Sequence, residues 1–401
     1  LPFSKLKTIL ILCGDIDGNI GDKAIVYAMC RELKLLLPSV RISLVSSNAA
    51  KAERYFGAAI IPKGIKGLPA LLKWSRRSDL ILVGGGGLFQ DDDSLIKMPY
   101  WGLRVALLRM LNPNKPIVGY SLGIGPLHKP LSKFFARVAL ACMNLISVRD
   151  LAAKQTAASL TAKAIHLVPD PALLLPAGSK QQALDRLREH GVPVQGVPII
   201  GVALRRWFHQ KGSLIPHKYA AKYRLRRIPG EADCEKMIAL IADVLSQIIR
   251  RYNAFIVFLP TYNVAHEADD ILCQQVIHRM QTLQAKLIRI DDPMDYKALA
   301  SCLDVLLGAR MHPTIFAAAC GTRIVGLSYN QKFSGFFELM GLPDEVIPLP
   351  EFVRQKQSRW LFDRLAEGIE KEVDIQSRAD ALAHKLRAFN ERMILPLLIK
   401  D

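Results

Sequence analysis

The amino-acid sequence predicts an α/β fold of two consecutive domains, each a largely parallel sheet covered on both faces. Three observations predict it. Short aliphatic runs alternate with longer amphipathic ones along most of the chain, the pattern of strands alternating with helices. The short runs are aliphatic almost throughout, as strands buried on both faces require. The alternation pauses at GVPVQGVP, residues 191–198, then restarts, and 401 residues suffice for two cores.

In the first half, 8–13 reads as a strand, followed by a Gly/Asp loop and a helix over about 22–36. The next strand is 40–45, with a helix after Asn48. Strands at 79–83 and 116–120 flank a helix at 100–110, and 145–148 and 164–168 add two more strands. A charged helix lies within 175–195. The second half restarts with a strand at 199–203, a basic stretch of poor pattern to Gly230, and a helix over 232–250. Strands at 254–259, 285–290, 305–307 and 323–327 then alternate with helices at 269–284, 295–302 and 313–320. Helical patterns at 359–368 and 375–398 close the chain. The expected domains are 1–190 and 191–355, with C-terminal helices over 356–401 placed to pack back on the first domain.

Composition narrows the function classes. There are 54 Lys and Arg against 36 Asp and Glu, a formal charge of +18. That excess favours anionic partners: phosphorylated metabolites, an anionic membrane surface or nucleic acid. No zinc finger, RNP signature or DNA-reading helix accompanies it, so no specific nucleic acid is expected. No run of 18 uninterrupted apolar residues predicts a spanning helix, and no secretory signal with a cleavage site is read near the start. Seven cysteines, at 13, 30, 142, 234, 273, 302 and 320, are scattered without CxxC or a metal-ligand cluster. They suit reduced thiols in a cytoplasmic protein, free or peripheral at the inner membrane face, and no metal is expected.

The most informative segment is 306–326, LLGARMHPTIFAAACGTRIVG. Arg310 and His312 directly follow an aliphatic strand and precede a small-residue helix, the position where parallel sheets gather ligands. Similar breaks recur in the first half. In GDIDGNIGD, residues 14–22, glycines permit close backbone approach, Asp22 can cap the helix, and Asn19 serves either a substrate hydroxyl or a turn. The spacing is neither the dinucleotide GxGxxG nor a P-loop. Four successive glycines, Gly84, Gly85, Gly86 and Gly87, let amides face a compact anion, or form a very tight turn. Of the following Asp91, Asp92 and Asp93, at least two are expected to be solvated.

Ser121 offers a hydroxyl and Gly123 an open path, but no GxSxG elbow marks a hydrolase nucleophile. His128 is a flanking surface residue. Arg149 suits phosphate or carboxylate, and its neighbour Asp150 either supports it or simply pairs with it. Asp170, between two prolines, orients Arg149 or caps. Of Arg205 and Arg206, at least one is placed to meet an acidic donor. His266 reaches sugar hydroxyls, while helix capping accounts for the carboxylates around it.

Taken in order, GNIGD at 18–22, the glycines at 84–87, SLGIGP at 121–126, Arg149-Asp150, Asp170-Pro171, Arg310-Met311-His312 and SYNQKF at 328–333 resemble the polysaccharide pyruvyltransferases. The resemblance spans roughly residues 7–350. It implies two Rossmann-like domains in a GT-B-like arrangement and transfer of pyruvate from phosphoenolpyruvate to a glycan or lipid-linked saccharide. The product would be a ketal across two hydroxyls, with phosphate released and no cofactor. On this resemblance His312, Arg310 and Arg149 are the catalytic candidates. Gly84 to Gly87, Ser121, Gly123, Arg205 and Lys332 fall to the donor or its phosphate. Asn19, Asp22, Asp150, Asp170 and His266 fall to the acceptor or to structural support. Lys23 departs from the family pattern, which commonly has an acidic residue after GNIGD. Two other functions fit the same architecture: a nucleotide-sugar-dependent glycosyltransferase and a non-catalytic glycan-binding protein.

Overall fold

A computed structural model describes residues 6–46, 55–92, 94–206, 231–262 and 268–399. The helix read after Asn48 lies mostly outside the described residues, as do Asp93, the basic stretch 207–230 and His266. The chain divides into two compact units. The first takes the residues through Leu174 and those from Leu382 onward, and the second takes the described residues between.

The first unit is built on β1 (Thr8–Leu12), β2 (Arg41–Ser46), β3 (Ala59–Pro62), β4 (Leu80–Gly84), β5 (Ile117–Leu122), β6 (Leu145–Val148) and β7 (Ile165–Leu167). Their order is β3-β2-β1-β4-β5-β6-β7, every neighbouring pair parallel. Ile9 and Leu12 stand beside Leu80 and Val83, so the TILIL and LILVG runs form the centre of the sheet. The register slips between Gly119 and Leu122, where β5 meets β6. Helices packed on the sheet bury Met98, Trp101, Val105 and Leu108 from one helix and Ala136, Ala139 and Leu140 from another.

The second unit is built on β8 (Ile199–Ala203), β9 (Phe255–Phe258), β10 (Ala285–Leu287), β11 (Val305–Gly308), β12 (Arg323–Ser328) and β13 (Val346–Pro348). Their order is β10-β9-β8-β11-β12-β13, again all parallel. Its core joins Ile200 and Val202 with Ile241, Leu245 and Ile248 of the Glu231–Tyr252 helix.

Several elements escaped the sequence reading. Strands β3 and β13 are short edge strands, and the Leu68–Arg77, Pro130–Ala141 and Gln331–Leu339 helices also went unread. The first helix begins at Ile20 rather than about residue 22, because Asn19 is the cap: its Oδ1 accepts from Gly21 N at 2.9 Å. The charged Lys180–Glu189 helix, read as part of a first domain ending at residue 190, belongs to the second unit. There Gly178 N donates to Met294 O at 2.9 Å, tying the start of that helix to the Pro293–Ala300 helix. The expected C-terminal group also splits. The Ser358–Glu370 helix packs in the second unit, whereas residues from Leu382 onward belong to the first. There the Tyr120 hydroxyl donates to Asn390 Oδ1 at 2.6 Å, with both side chains buried.

Candidate active site

In a doubly wound sheet, the crevice forms beyond the carboxyl ends of two neighbouring strands whose connections leave in opposite directions. In the first unit that point lies between β1 and β4. Asp22 lies in the first turn of the helix that follows β1, and the glycines run from the end of β4 into its loop, so that the two segments interlock. A Cβ on Gly14 would fall 2.6 Å from Asp22 Oδ2, and one on Gly86 would fall 2.5 Å from Asp22 Oδ1. Gly85 and Gly86 have φ of 80° and 96°, a region that side-chain-bearing residues rarely adopt. Gly84 serves a different need, since a Cβ there would stand 2.0 Å from Tyr120 O. Three of the four glycines thus have packing reasons of their own.

Gly86 O accepts from Gly123 N at 3.1 Å. Among the described residues, the amides of Gly86 and Gly87 donate to no protein acceptor. Arg149 lies against the same spot: a Cβ on Gly123 would come 3.1 Å from Arg149 Nε and from Gly87 Cα alike. The guanidinium is buried and held by carboxylates. Nη1 donates to Asp170 Oδ2 at 2.9 Å, and Nε stands 3.7 Å from Asp150 Oδ2. Asp150 also caps the Leu151–Ala158 helix by accepting from Ala153 N at 2.7 Å, and Asp170 accepts from Ala172 N at 3.0 Å. Asp170 thus does both jobs that were alternatives in the sequence, while Asp150 pairs with Arg149 and caps the helix as well.

Asp22 does not cap its helix. Its Oδ2 accepts from Asp15 N at 3.0 Å. Burial pushes its pKa up to about 6, against the opposing effects of the Asp15 amide, Lys97 and Arg149. A carboxyl that titrates near neutrality beside a buried Arg can hold or release a proton under working conditions.

The expectation for Ser121 does not hold. Ser121 does not present its hydroxyl to a ligand: it is fully buried at φ 48°, and Oγ donates to the Val168 and Pro169 carbonyls at 3.1 and 2.8 Å. It fastens the irregular end of β5. Asp91 is not solvated. It is buried and accepts from His128 N and Lys129 N at 2.9 Å, anchoring the chain just before the Pro130–Ala141 helix. His128 is exposed, as read.

In the second unit the corresponding point lies between β8 and β11. Arg205 follows β8, and its Cζ sits 4.1 Å from the Tyr329 ring centroid. Arg310 follows β11 and is held at two points by buried Asp269: Nε to Oδ2 at 3.0 Å and Nη2 to Oδ1 at 2.5 Å. The Tyr262 ring lies 5.5 Å from Arg310 Cζ. His312 is the second residue of the Met311–Ala318 helix, half-buried, with its ring 6.4 Å from that of Phe316. Lys332 is buried in the Gln331–Leu339 helix, whose cap is Asn330.

Sequence reasoning missed Asp269 as the partner of Arg310, and Tyr262 and Tyr329 as ring neighbours of the arginines. It also missed the bond of Lys63 Nζ to Asp15 Oδ1 and Asp17 Oδ2 at 2.7 and 2.8 Å. These contacts join residues far apart in sequence, and no local pattern announces them. The carboxylate-rich HEADD stretch was the one available signal for Asp269.

The fold places the protein in a recognisable class. It resembles a glycosyltransferase from Rickettsia africae, with a TM-score of 0.59 and 12% identity, covering 98% of this chain and 96% of that one. It also resembles the UDP-GlcNAc 2-epimerase from Neisseria meningitidis, with a TM-score of 0.57 and 11% identity, covering 98% and 100%. A third likeness is to the UDP-GlcNAc 2-epimerase from Methanocaldococcus jannaschii, with a TM-score of 0.56 and 12% identity, covering 95% and 99%. At such identities the likeness is one of fold: two Rossmann-like domains of the GT-B kind. No curated protein sequence matches the chain. Residues 19–331 match the polysaccharide pyruvyl transferase family, and the chain belongs to that family. It is accordingly a transferase whose family implies a polysaccharide acceptor. Among the described residues, no helix is long and apolar enough to cross a membrane.

Proposed function

We propose that the protein moves pyruvate from phosphoenolpyruvate to a glycan or glycan-lipid, closing a ketal across two hydroxyls and releasing phosphate. The observation that carries this reading is family membership over residues 19–331, a span that includes Arg149, Asp170, Arg310 and His312. In the proposed reaction the donor methylene carbon takes a proton, and one glycan hydroxyl attacks C2. That gives a phosphate-bearing tetrahedral centre and returns a proton to the site. Phosphate then leaves with the C–O bonding pair, and the second hydroxyl closes the ring as its proton is taken up.

The chain's residues suit parts of this chemistry. Positive groups are needed where the donor carboxylate and departing phosphate carry charge. Arg149 and Arg310 are each fixed in orientation by carboxylates, and the amides of Gly86 and Gly87 lie beside Arg149. His312 is the proposed general acid and base, since an imidazole changes charge near neutral pH. The protein needs no cofactor on this reading and works in the cytoplasm.

The test is incubation of the purified protein with isotopically labelled phosphoenolpyruvate and a panel of glycans, following phosphate and glycan mass. Coupled phosphate release and a pyruvyl mass gain establish the reaction. A second reading draws on the fold likeness to a glycosyltransferase and to an epimerase bound to UDP-GlcNAc. Consumption of a sugar nucleotide without phosphoenolpyruvate turnover would replace the first reading with it. Tight glycan binding with neither donor consumed would point to a binding protein.

A further inference from the structure

Among the described residues, the first unit carries an exposed apolar surface. Ile96, Tyr100, Leu103 and Met110 are between 50% and 77% exposed. They lie on or just before the Lys97–Leu111 helix, spaced i, i+4, i+7 and i+14, which puts them on one stripe. The opposite stripe, Met98, Trp101, Val105 and Leu108, is buried in the core. This helix is therefore apolar on two faces, and folding uses only one. The adjoining Pro130–Ala141 helix adds Leu131 and Phe134, 58% and 55% exposed and one turn apart. The two helices form one firm platform, because a Cβ on Gly102 would come 2.7 Å from Phe135 O.

Charge identifies what covers this platform. From Ser94 through Arg149 the sequence holds eight Lys and Arg and not one Asp or Glu. Arg109 and Lys115 are bound to backbone carbonyls and Arg149 is buried. Lys129, Lys133 and Arg137 are exposed and spaced i, i+4 and i+8, a basic row beside the apolar stripe. Arg104 also lies at the stripe, its Nη1 donating to the Tyr100 hydroxyl at 2.8 Å. Apolar residues flanked by cations, with no acidic residue in the segment, match an interfacial helix on an anionic bilayer. A second copy of the chain would set these cations against one another.

We propose that the Lys97–Leu111 and Pro130–Ala141 helices form a docking face for the surface of an anionic lipid membrane. Leu103, Met110, Leu131 and Phe134 enter the acyl boundary, and Lys129, Lys133 and Arg137 meet the headgroup phosphates. The proposal is tested without the transfer chemistry. The full chain is sedimented with phosphatidylcholine vesicles, with and without phosphatidylglycerol, at low and high salt. Binding is expected only with phosphatidylglycerol and should weaken with salt. Lys133→Glu with Arg137→Glu should lower it at least about tenfold, since each cation near such a surface is worth roughly fivefold. Leu103→Asp with Phe134→Asp should abolish it. All four positions are exposed, and unchanged circular dichroism confirms folding. Equal binding to neutral vesicles, or retained binding by both folded double variants, would overturn the proposal. So would light scattering showing a dimer that Leu103→Asp with Phe134→Asp dissociates, since a second copy would then be the occupant.

Discussion

Arg310 and Asp269, 41 residues apart in sequence, meet in a two-point ion pair of 3.0 and 2.5 Å beyond the carboxyl ends of the second sheet. The Asp is fully buried and the Arg partly so, and the carboxylate fixes the plane of the guanidinium. Removing one partner of a buried pair leaves the other charge without compensation, at a cost of about 3–5 kcal/mol. Asp269→Ala is expected to lower the urea midpoint accordingly. Asp269→Asn, which keeps an acceptor, should spare most of the stability yet raise the KM for the donor. A wild-type KM in a folded Asp269→Asn protein would assign the pair to stability alone.

His312 separates chemistry from folding. It is half-buried near a helix start and is not among the buried core residues. His312→Ala is expected to melt close to wild type while losing roughly 100–10,000-fold in transfer rate, the range for loss of a general acid or base. Ordinary ketal formation by folded His312→Ala would remove it from the mechanism.

Asp22 sets a pH dependence whose sign follows from its environment. Its carboxyl titrates at about 6 in the folded protein against an ordinary 3.8, so the folded state binds the proton more tightly. Stability is then highest with Asp22 protonated and falls as pH rises between those two values. Asp22→Asn should remove that fall. Compared with wild type it should gain about 3 kcal/mol at neutral pH and nothing in acid. Paired urea titrations at the two pH values measure it, and an equal difference at both would contradict the assignment.

Ser121 distinguishes a fastening role from a ligand-binding one. At φ 48°, with its hydroxyl on two carbonyls, it is held in the left-handed region by its surroundings. Ser121→Ala loses the hydrogen bond and keeps the strain, so a destabilisation of about 1–3 kcal/mol is expected. Ser121→Gly relieves the strain and should cost less. If instead both variants melted like wild type and lost donor affinity, the hydroxyl would belong to the binding site.

The sheets were legible because parallel strands buried on both faces leave continuous aliphatic runs, as in TILIL, LILVG and VLLG. The loops at their carboxyl ends were legible too, since glycine, Arg and His stand out against those runs. What was not legible is where a loop side chain points. Ser121 lies near the end of β5, and its hydroxyl turns inward beside the slip in the β5–β6 register. Asp91 sits in an acidic triplet that reads as solvated, and two backbone amides draw it inside. Arg310 was legible as a cation, but its carboxylate partner was fixed only when folding brought residue 269 beside it.

The bond between Tyr120 and Asn390 gives the end of the chain a meaning that its position conceals. Residues from Leu382 onward belong to the first unit, so among the described residues the second unit is a cassette inserted into the first. Truncation just before Leu382 would spare that cassette and injure the first unit, most of which lies more than 200 residues away in sequence. It would strip Asn390 from Tyr120 and Arg387 from Glu32, which meet at 2.6 and 3.3 Å. Expression of the first unit alone therefore calls for a short linker from Leu174 to Leu382 rather than a simple C-terminal truncation.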